Sequence, residues 1–396
     1  MNADRHLARA VAWLGQGHLA AADAHCRRGL DLAPDREDAL HLLGTIAALA
    51  GLRPAAADCF RRAPGLAAAR EALALLATLP GPDPAPDPGF VLIKAWGFGF
   101  WSEVCHVLGG LLLAELTGRT PVVQWGRKCR FSDGGRTEAF GRFFEPVSAF
   151  TVEDLMALEP ARCFPEGWAL ETLRRDRWSR RPGLGAIDFL ARPETVLVGC
   201  VFLGVADLAP WIPPGHPLHG RPVAACLKAL FDRHLRPRPE ILAAVRDFKA
   251  RQLAGAPVVA VHLRGSDKVV ELPGLAAAND RILALVDTVP DEARLLLLTD
   301  DAHLARDFRR RYGRRVVMTR SRRTADPTGI HYHAGENGLA LGREVMIDTW
   351  LALDADRFIG NGRSNVSGII DAVRTADGRE STLVLDNQLY ENTWFL

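Results

Sequence analysis

The chain has 396 residues, more than one ordinary core absorbs, so two or three structural units are expected. Apolar residues make up 48% and charged residues 24%, a composition that excludes a disordered or fibrous chain. Forty-nine basic against forty-seven acidic residues leave a formal charge of +2, so no global basic field exists to drive nonspecific nucleic-acid binding, and any anion site must be local.

The first 20 residues carry no apolar signal core, and the longest apolar run, Val107 to Leu116, is about ten residues against the ~20 needed for a spanning helix. The seven cysteines (Cys26, Cys59, Cys105, Cys129, Cys163, Cys200 and Cys226) are scattered, with no Cys-x-x-Cys spacing, which fits a reducing compartment. A cytoplasmic protein without a membrane span is expected.

In chain order, residues 1–80 are rich in alanine and leucine at helical spacing. The segment Gly17-His-Leu-Ala-Ala-Ala-Asp-Ala-His-Cys-Arg-Arg28 aligns with Gly51-Leu-Arg-Pro-Ala-Ala-Ala-Asp-Cys-Phe-Arg-Arg62 at an offset of 34, the tetratricopeptide period. Small residues fall at equivalent positions (Ala10 and Gly44, Ala22 and Ala56, Gly29 and Ala63), where paired helices cross closely. Ala67 to Leu79 reads as the first helix of a third, incomplete unit. Such a module either recruits a protein partner or docks against the rest of the chain. Residues 81–89 form a proline-rich linker that no helix can cross.

Strand and helix patterns then alternate. Phe90 to Ala95 predicts a strand, Glu103 to Thr117 a helix and Pro121 to Trp125 a second strand. Residues 153–220 give a weak signal and are expected to be irregular. Arg236-Pro-Arg-Pro-Glu240 is expected to open a helix that runs to about Leu253. Further strands are predicted over Val258–Leu263, Arg294–Leu298, Arg315–Met318, Asp356–Ile359 and Thr382–Leu385. The helices between them are expected at Asp280–Asp287, His303–Tyr312, Leu339–Leu353 and Asn365–Val373. The alternation implies parallel, doubly wound sheets in two α/β domains, residues 90–235 and 236–396.

Four segments can carry chemistry. His262-Leu-Arg-Gly-Ser-Asp-Lys268 ends an apolar strand, where open α/β sheets bind ligands, and Arg264 and Lys268 suit phosphate. Thr299-Asp300-Asp301 ends another strand; Thr299 or Asp300 either caps the following helix or faces a ligand. Asp348 interrupts an apolar helical face and needs a partner, for which a guanine's donors or an arginine would serve. Gly360-Asn-Gly-Arg-Ser-Asn365 is a turn that opens a helix, where Ser364 and Asn365 either cap it or bind diphosphate at its positive end. Trp96-Gly-Phe-Gly-Phe lacks the third glycine of a dinucleotide fingerprint, so no nicotinamide or flavin cofactor is expected. Asp354-Ala-Asp356 reads as a pair of turn carboxylates rather than a metal motif. The basic run Arg174 to Arg181 reads as a solvated face or as a means of steering an acidic acceptor.

Together these segments resemble the α-1,6-fucosyltransferase group and, more loosely, the protein O-fucosyltransferases. The resemblance rests on His262 to Lys268, Thr299-Asp300-Asp301, Val345-Met-Ile-Asp-Thr349 and Gly360 to Val366. In the first half it rests on Gly97-Phe-Gly-Phe with His106, Thr117-Gly-Arg119 and Phe144-Glu-Pro-Val-Ser148. It implies a GT-B-like fold of two Rossmann-like domains facing a cleft, and metal-independent, inverting transfer of fucose from GDP-fucose to a glycan or protein hydroxyl. It further implies a catalytic set of Arg264, Asp267, Lys268, Glu271 and Asp300, with Glu271 the candidate base. The nucleotide sugar would be held by His262, Arg264, Asp348, Ser364 and Asn365. Three departures stand out: Gly265 replaces the second arginine of the family motif, Asn365 replaces a glutamine, and the helical module is additional. Another GDP- or UDP-sugar as donor, or a helical-repeat scaffold with a degenerate transferase domain, are the competing readings.

Overall fold

The computed structural model describes residues 2–80, 86–135, 137–159, 161–176, 183–265, 273–326, 328–333 and 337–391. The chain opens with five helices, α1 (Ala3–Gly15), α2 (Leu19–Leu32), α3 (Glu37–Leu49), α4 (Arg53–Arg61) and α5 (Ala67–Thr78). Each packs on the next in sequence. The small residues at the crossings are buried as their positions required: Ala10, Ala22, Ala56 and Ala63 have no exposed surface, and a Cβ on Gly44 would lie 2.5 Å from the Phe60 ring. The helices dock against the following domain. Ile187 and Trp211 join their apolar cluster, and the Arg27 guanidinium lies 4.3 Å over the Trp211 ring while pairing with Asp23 at 2.8 Å.

The first α/β half contains β1 (Phe90–Lys94), α6 (Phe100–Thr117), β2 (Thr120–Gln124), α7 (Val152–Met156), β3 (Cys163–Phe164), β4 (Val196–Gly199), α8 (Val205–Leu208) and α9 (Val223–His234). Its four strands are all parallel, in the order β2-β1-β4-β3. The region expected to be irregular thus supplies two strands. Val196 to Gly199 is fully buried and pairs with β1, which a four-residue run among prolines and tryptophans does not announce.

The second half contains α10 (Pro239–Phe248), β5 (Val258–His262), α11 (Leu275–Val286), β6 (Arg294–Leu298), α12 (Ala302–Tyr312), β7 (Val316–Val317), α13 (Gly338–Asp354), β8 (Arg357–Gly360), α14 (Asn365–Ala376) and β9 (Ser381–Leu383). The helical path of α10 runs on through Lys249–Leu253, as predicted. The strands are again all parallel, in the order β7-β6-β5-β8-β9, so the chain starts in the middle and winds outward in both directions. This is the Rossmann arrangement. Leu275 opens α11 five positions before the predicted start, because the alanines after it carry no apolar periodicity.

One apolar core runs through both halves, from Val91 and Leu108 to Phe358 and Ile370, and α14 packs on α6 and α9. The Trp101 indole N–H reaches from α6 to Thr349 Oγ1 on α13 at 2.8 Å. Arg374, fully buried, donates to the carbonyls of Ala352, Leu353 and Ala355, which closes the end of α13 over β8 and β9. Among the described residues no helix is long and apolar enough to cross a membrane.

Candidate functional site

In a parallel sheet whose strand order reverses direction, the loops on either side of the reversal part and leave a crevice beyond the carboxyl ends. Here both sheets do so toward each other. The loops after β1 and β4 carry Trp96, Phe98 and Phe202, and those after β5 and β8 carry Arg264 and Ser364. All five line one cavity of about 550 Å³ between the halves.

The wall from the second half is polar. Arg264 follows β5 and forms an ion pair with Asp300, which follows the neighbouring strand β6. The Arg264 carbonyl is fixed by the Asn279 amide N–H at 2.9 Å. Neither Thr299 nor Asp300 caps α12. Asp301 does so, accepting from the backbone N–H groups of His303 (2.7 Å) and Leu304 (3.0 Å), because it is the residue whose extended backbone directly precedes the first helical turn. That leaves Asp300 turned to the cleft.

Gly265 has a local reason. A Cβ there would lie 2.3 Å from Asp301 Oδ2 and 2.7 Å from its Cβ, so an arginine at this position would collide with the cap of α12.

His262 is buried, with Nδ1 2.7 Å from Ser367 Oγ. That oxygen also accepts the Asn361 N–H at 3.2 Å; in the tautomer in which the Ser367 hydroxyl donates to Nδ1, the ring proton is on Nε2. Burial and the charge of Arg264 pull its pKa down to about 4, so the imidazole is neutral near pH 7.

Asp348, on α13, is held by two hydroxyls, Thr319 Oγ1 at 2.5 Å and Ser321 Oγ at 2.9 Å. Burial raises its pKa to about 6 against the pull of these hydroxyls and of Arg323. The partner that the sequence required is therefore a pair of hydroxyls, with an arginine acting at longer range.

Ser364 stands at the N-cap of α14, yet its side chain makes no capping bond, and the residue is buried against the cavity. The first-turn N–H groups of a 12-residue helix thus open toward the cleft beside it. Asn365 accepts the Gln388 amide at 2.6 Å. Its side chain is engaged in holding the Gln388–Tyr390 turn in place.

Asp267, Lys268 and Glu271 lie outside the described residues. Asp354 and Asp356 lie at the opposite ends of the strands. Asp354 pairs with Lys249, and Asp356 accepts the Val258 N–H at 2.8 Å, so both are structural.

The facing wall is aromatic and was largely invisible in the sequence. Trp96 packs in tilted contact against Phe98 (5.2 Å between centroids) and Phe202 (5.5 Å). The loop that carries it is organised by Glu103, whose buried carboxylate accepts the N–H groups of Trp96 (2.6 Å), Gly97 and Phe98 (3.1 Å). Burial outweighs these three donors and lifts its pKa to about 7. A glutamate in the first turn after a Gly-x-Gly loop was the available signal. His106 sits behind, accepting the Leu203 N–H at Nδ1 (2.9 Å) and facing the Gly199 carbonyl with Nε2 (3.3 Å), which ties the loop after β4 to α6. A Cβ on Gly109 would lie 2.1 Å from the Leu203 carbonyl oxygen, which is why α6 can approach so closely. Arg322 and Glu344, paired at 3.1 Å, also line the cavity and were not anticipated.

No family model matches the chain, and no curated protein matches it. Solved structures do. The fucosyltransferase NodZ from Bradyrhizobium is similar at 19% identity and a TM-score of 0.44, over 72% of this chain and 92% of that one. POFUT1 in complex with GDP is similar at 16% identity and a TM-score of 0.46, over 76% of this chain and 99% of that one. Arabidopsis thaliana FUT1 in complex with GDP is similar at 13% identity and a TM-score of 0.47, over 84% of this chain and 78% of that one.

Proposed function

We propose that the chain is an inverting, metal-independent glycosyltransferase that moves fucose from GDP-fucose to a hydroxyl of a glycan or protein. The observation that carries this reading is the meeting, at the switch point of the second sheet, of Arg264, the N-terminus of α14 beside Ser364, neutral His262 and hydroxyl-bound Asp348. A diphosphate fits the first two. Arg264 offers a forked donor, and the helix offers unsatisfied N–H groups and the positive end of its dipole. A guanine fits the last two, since Asp348 can accept from its N1–H and N2–H₂ while His262 donates from Nε2. Uracil has a single ring N–H and would use only part of this pair.

Transfer would then proceed by attack of the acceptor oxygen on the anomeric carbon from the face opposite the diphosphate. The charge that develops on the departing β-phosphate is met by Arg264 and the α14 N–H groups. Asp300 holds the Arg264 fork in position. Asp354 and Asp356 take no part, which supports a mechanism without an Asp-x-Asp metal site. The helical module, docked through Arg27, Asp23 and Trp211, would present its remaining surface to the acceptor or to a protein partner.

Calorimetric titration with GDP and with UDP tests the reading. GDP should bind more tightly by at least about tenfold, the worth of one hydrogen bond to a charged group. Tighter binding of UDP would refute the guanine assignment to His262 and Asp348.

A further inference from the structure

Among the described residues five carboxylates line the cavity, and four are already engaged. Asp300 is paired with Arg264, Glu344 with Arg322, and Glu391 lies 3.7 Å from Arg363. Asp348 takes two hydroxyl protons. Asp207, on α8 in the first half, differs from all of them. It has no cation and no hydroxyl among the described residues. Its single hydrogen bond is the Gly204 N–H to Oδ2 at 3.1 Å, and Oδ1 is neither bonded nor sealed from the cavity.

Its place in the fold suits a role opposite the diphosphate site. The short helix α8 follows β4 at the switch point of the first sheet, just after Phe202, and both Phe202 and Asp207 line the cavity. It packs on the Gln388–Tyr390 turn, and Gln388 bonds Asn365 in the first turn of α14. Asp207 therefore belongs to the wall that faces the helix N-terminus. On the transferase reading, on which this inference rests, we propose that Asp207 is the catalytic base that takes the proton of the acceptor hydroxyl.

The step balances as follows. The acceptor oxygen forms its bond to the anomeric carbon as its proton passes to Asp207 Oδ1. The bond from that carbon to the β-phosphate oxygen breaks, and its electron pair leaves on GDP. Asp207 returns the proton to solvent when the product departs.

A base must keep its affinity for a proton, and an arginine partner would remove it. Burial, set against the Gly204 N–H and assisted by the negative charge of Asp23 on α2, raises the Asp207 pKa to about 7. The other ionisable groups on elements packed against α8 do not compensate it. On α6, His106 is held near 4 by burial and is neutral, and Glu103 is an acid bound by backbone N–H groups. On α9, Lys228 is held by Asp232 and Asp377, while Arg233 and His234 pair with Glu115 of α6. The Tyr390 hydroxyl donates to Asp371. Asp188, on the turn Ala186–Phe189, accepts the Gly185 N–H, and Glu391 faces Arg363.

The test is GDP release from GDP-fucose with water as the acceptor, run beside GDP titration of the same full-length proteins. Asp207→Asn keeps an oxygen for the Gly204 N–H and so preserves the turn. It should lower kcat about a hundredfold or more, leave the GDP Kd within about threefold, and abolish the rise of kcat with pH through about 7. Asp207→Glu should restore part of the rate and the rise. If Asp207→Asn retained kcat within about threefold while Glu271→Gln lost it, the base would be Glu271 and the proposal overturned. Equal loss of GDP binding and turnover in Asp207→Asn would overturn it too, by showing a structural role. A wild-type chain that neither bound GDP nor released it would instead refute the transferase reading itself.

Discussion

Arg264 and Asp300 stand at the ends of adjacent parallel strands and hold each other at the cavity wall, with side chains 17% and 19% exposed. The pairing explains why the two polar strand ends recur in the chain at such different positions. On the proposed function one would supply a phosphate donor and the other would fix its fork. It also fixes which residue is expendable.

Arg264→Ala removes the donor that meets leaving-group charge, so kcat for GDP release should fall at least about a hundredfold. Arg264→Lys keeps the charge but loses the fork and should recover only part of the rate. Asp300→Asn keeps a hydrogen-bond acceptor and should fall less than Arg264→Ala. Steady-state kinetics on the three variants checks the order. An Asp300→Asn loss exceeding that of Arg264→Ala would assign Asp300 a direct role.

Asp348 gives the site a pH dependence with a defined sign. Its folded pKa is raised from 3.8 to about 6, so its contribution to stability is full below the ordinary value and is lost as pH rises through about 6. Guanine recognition runs the other way, because only the ionised carboxylate accepts from both N1–H and N2–H₂. GDP affinity should therefore rise by roughly tenfold between pH 5 and pH 7. The terminal phosphate of GDP titrates in the same range, so the decisive quantity is the difference from Asp348→Asn, in which this part of the rise should vanish. Calorimetry at the two pH values measures it. An identical rise in both proteins would remove Asp348 from the base pocket.

The sequence made the second half legible because its three central strands are apolar runs closed by polar residues: His262 and Arg264 after β5, Asp300 after β6, and Asn361 and Ser364 after β8. The buried polar ends marked the site as well as the fold. The first half hid its share for physical reasons. Val196 to Gly199 is too short for periodicity, and Trp96 and Phe202 look like core residues until the loops that carry them are seen to part. Glu103 is the fourth residue of α6 and Asp207 the third of α8, in the first turn, where an acidic residue is ordinarily only a favourable end charge. What sets them apart is burial, which the sequence does not reveal. The cap falls on Asp301 rather than on Thr299 or Asp300 for a related reason: all three favour capping, and only the backbone decides among them.

Gly265 offers a test of that last point. The position is occupied by glycine because Asp301, bonded to the N–H groups of His303 and Leu304, fills the space where a side chain would start. Gly265→Ala must push Asp301 off the α12 terminus, which costs about 1 kcal/mol for the cap and about as much again for the local overpacking. The expected destabilisation is about 2 kcal/mol, read as a lower urea midpoint with an unchanged slope. Asp301→Gly removes the capping carboxylate and the Cβ that would stand 2.7 Å away, so the double variant should be less destabilised than the sum of the singles, because each loses the same two hydrogen bonds. Strict additivity would mean that the two side chains do not compete for that space, and the glycine at this position would then have no explanation in packing.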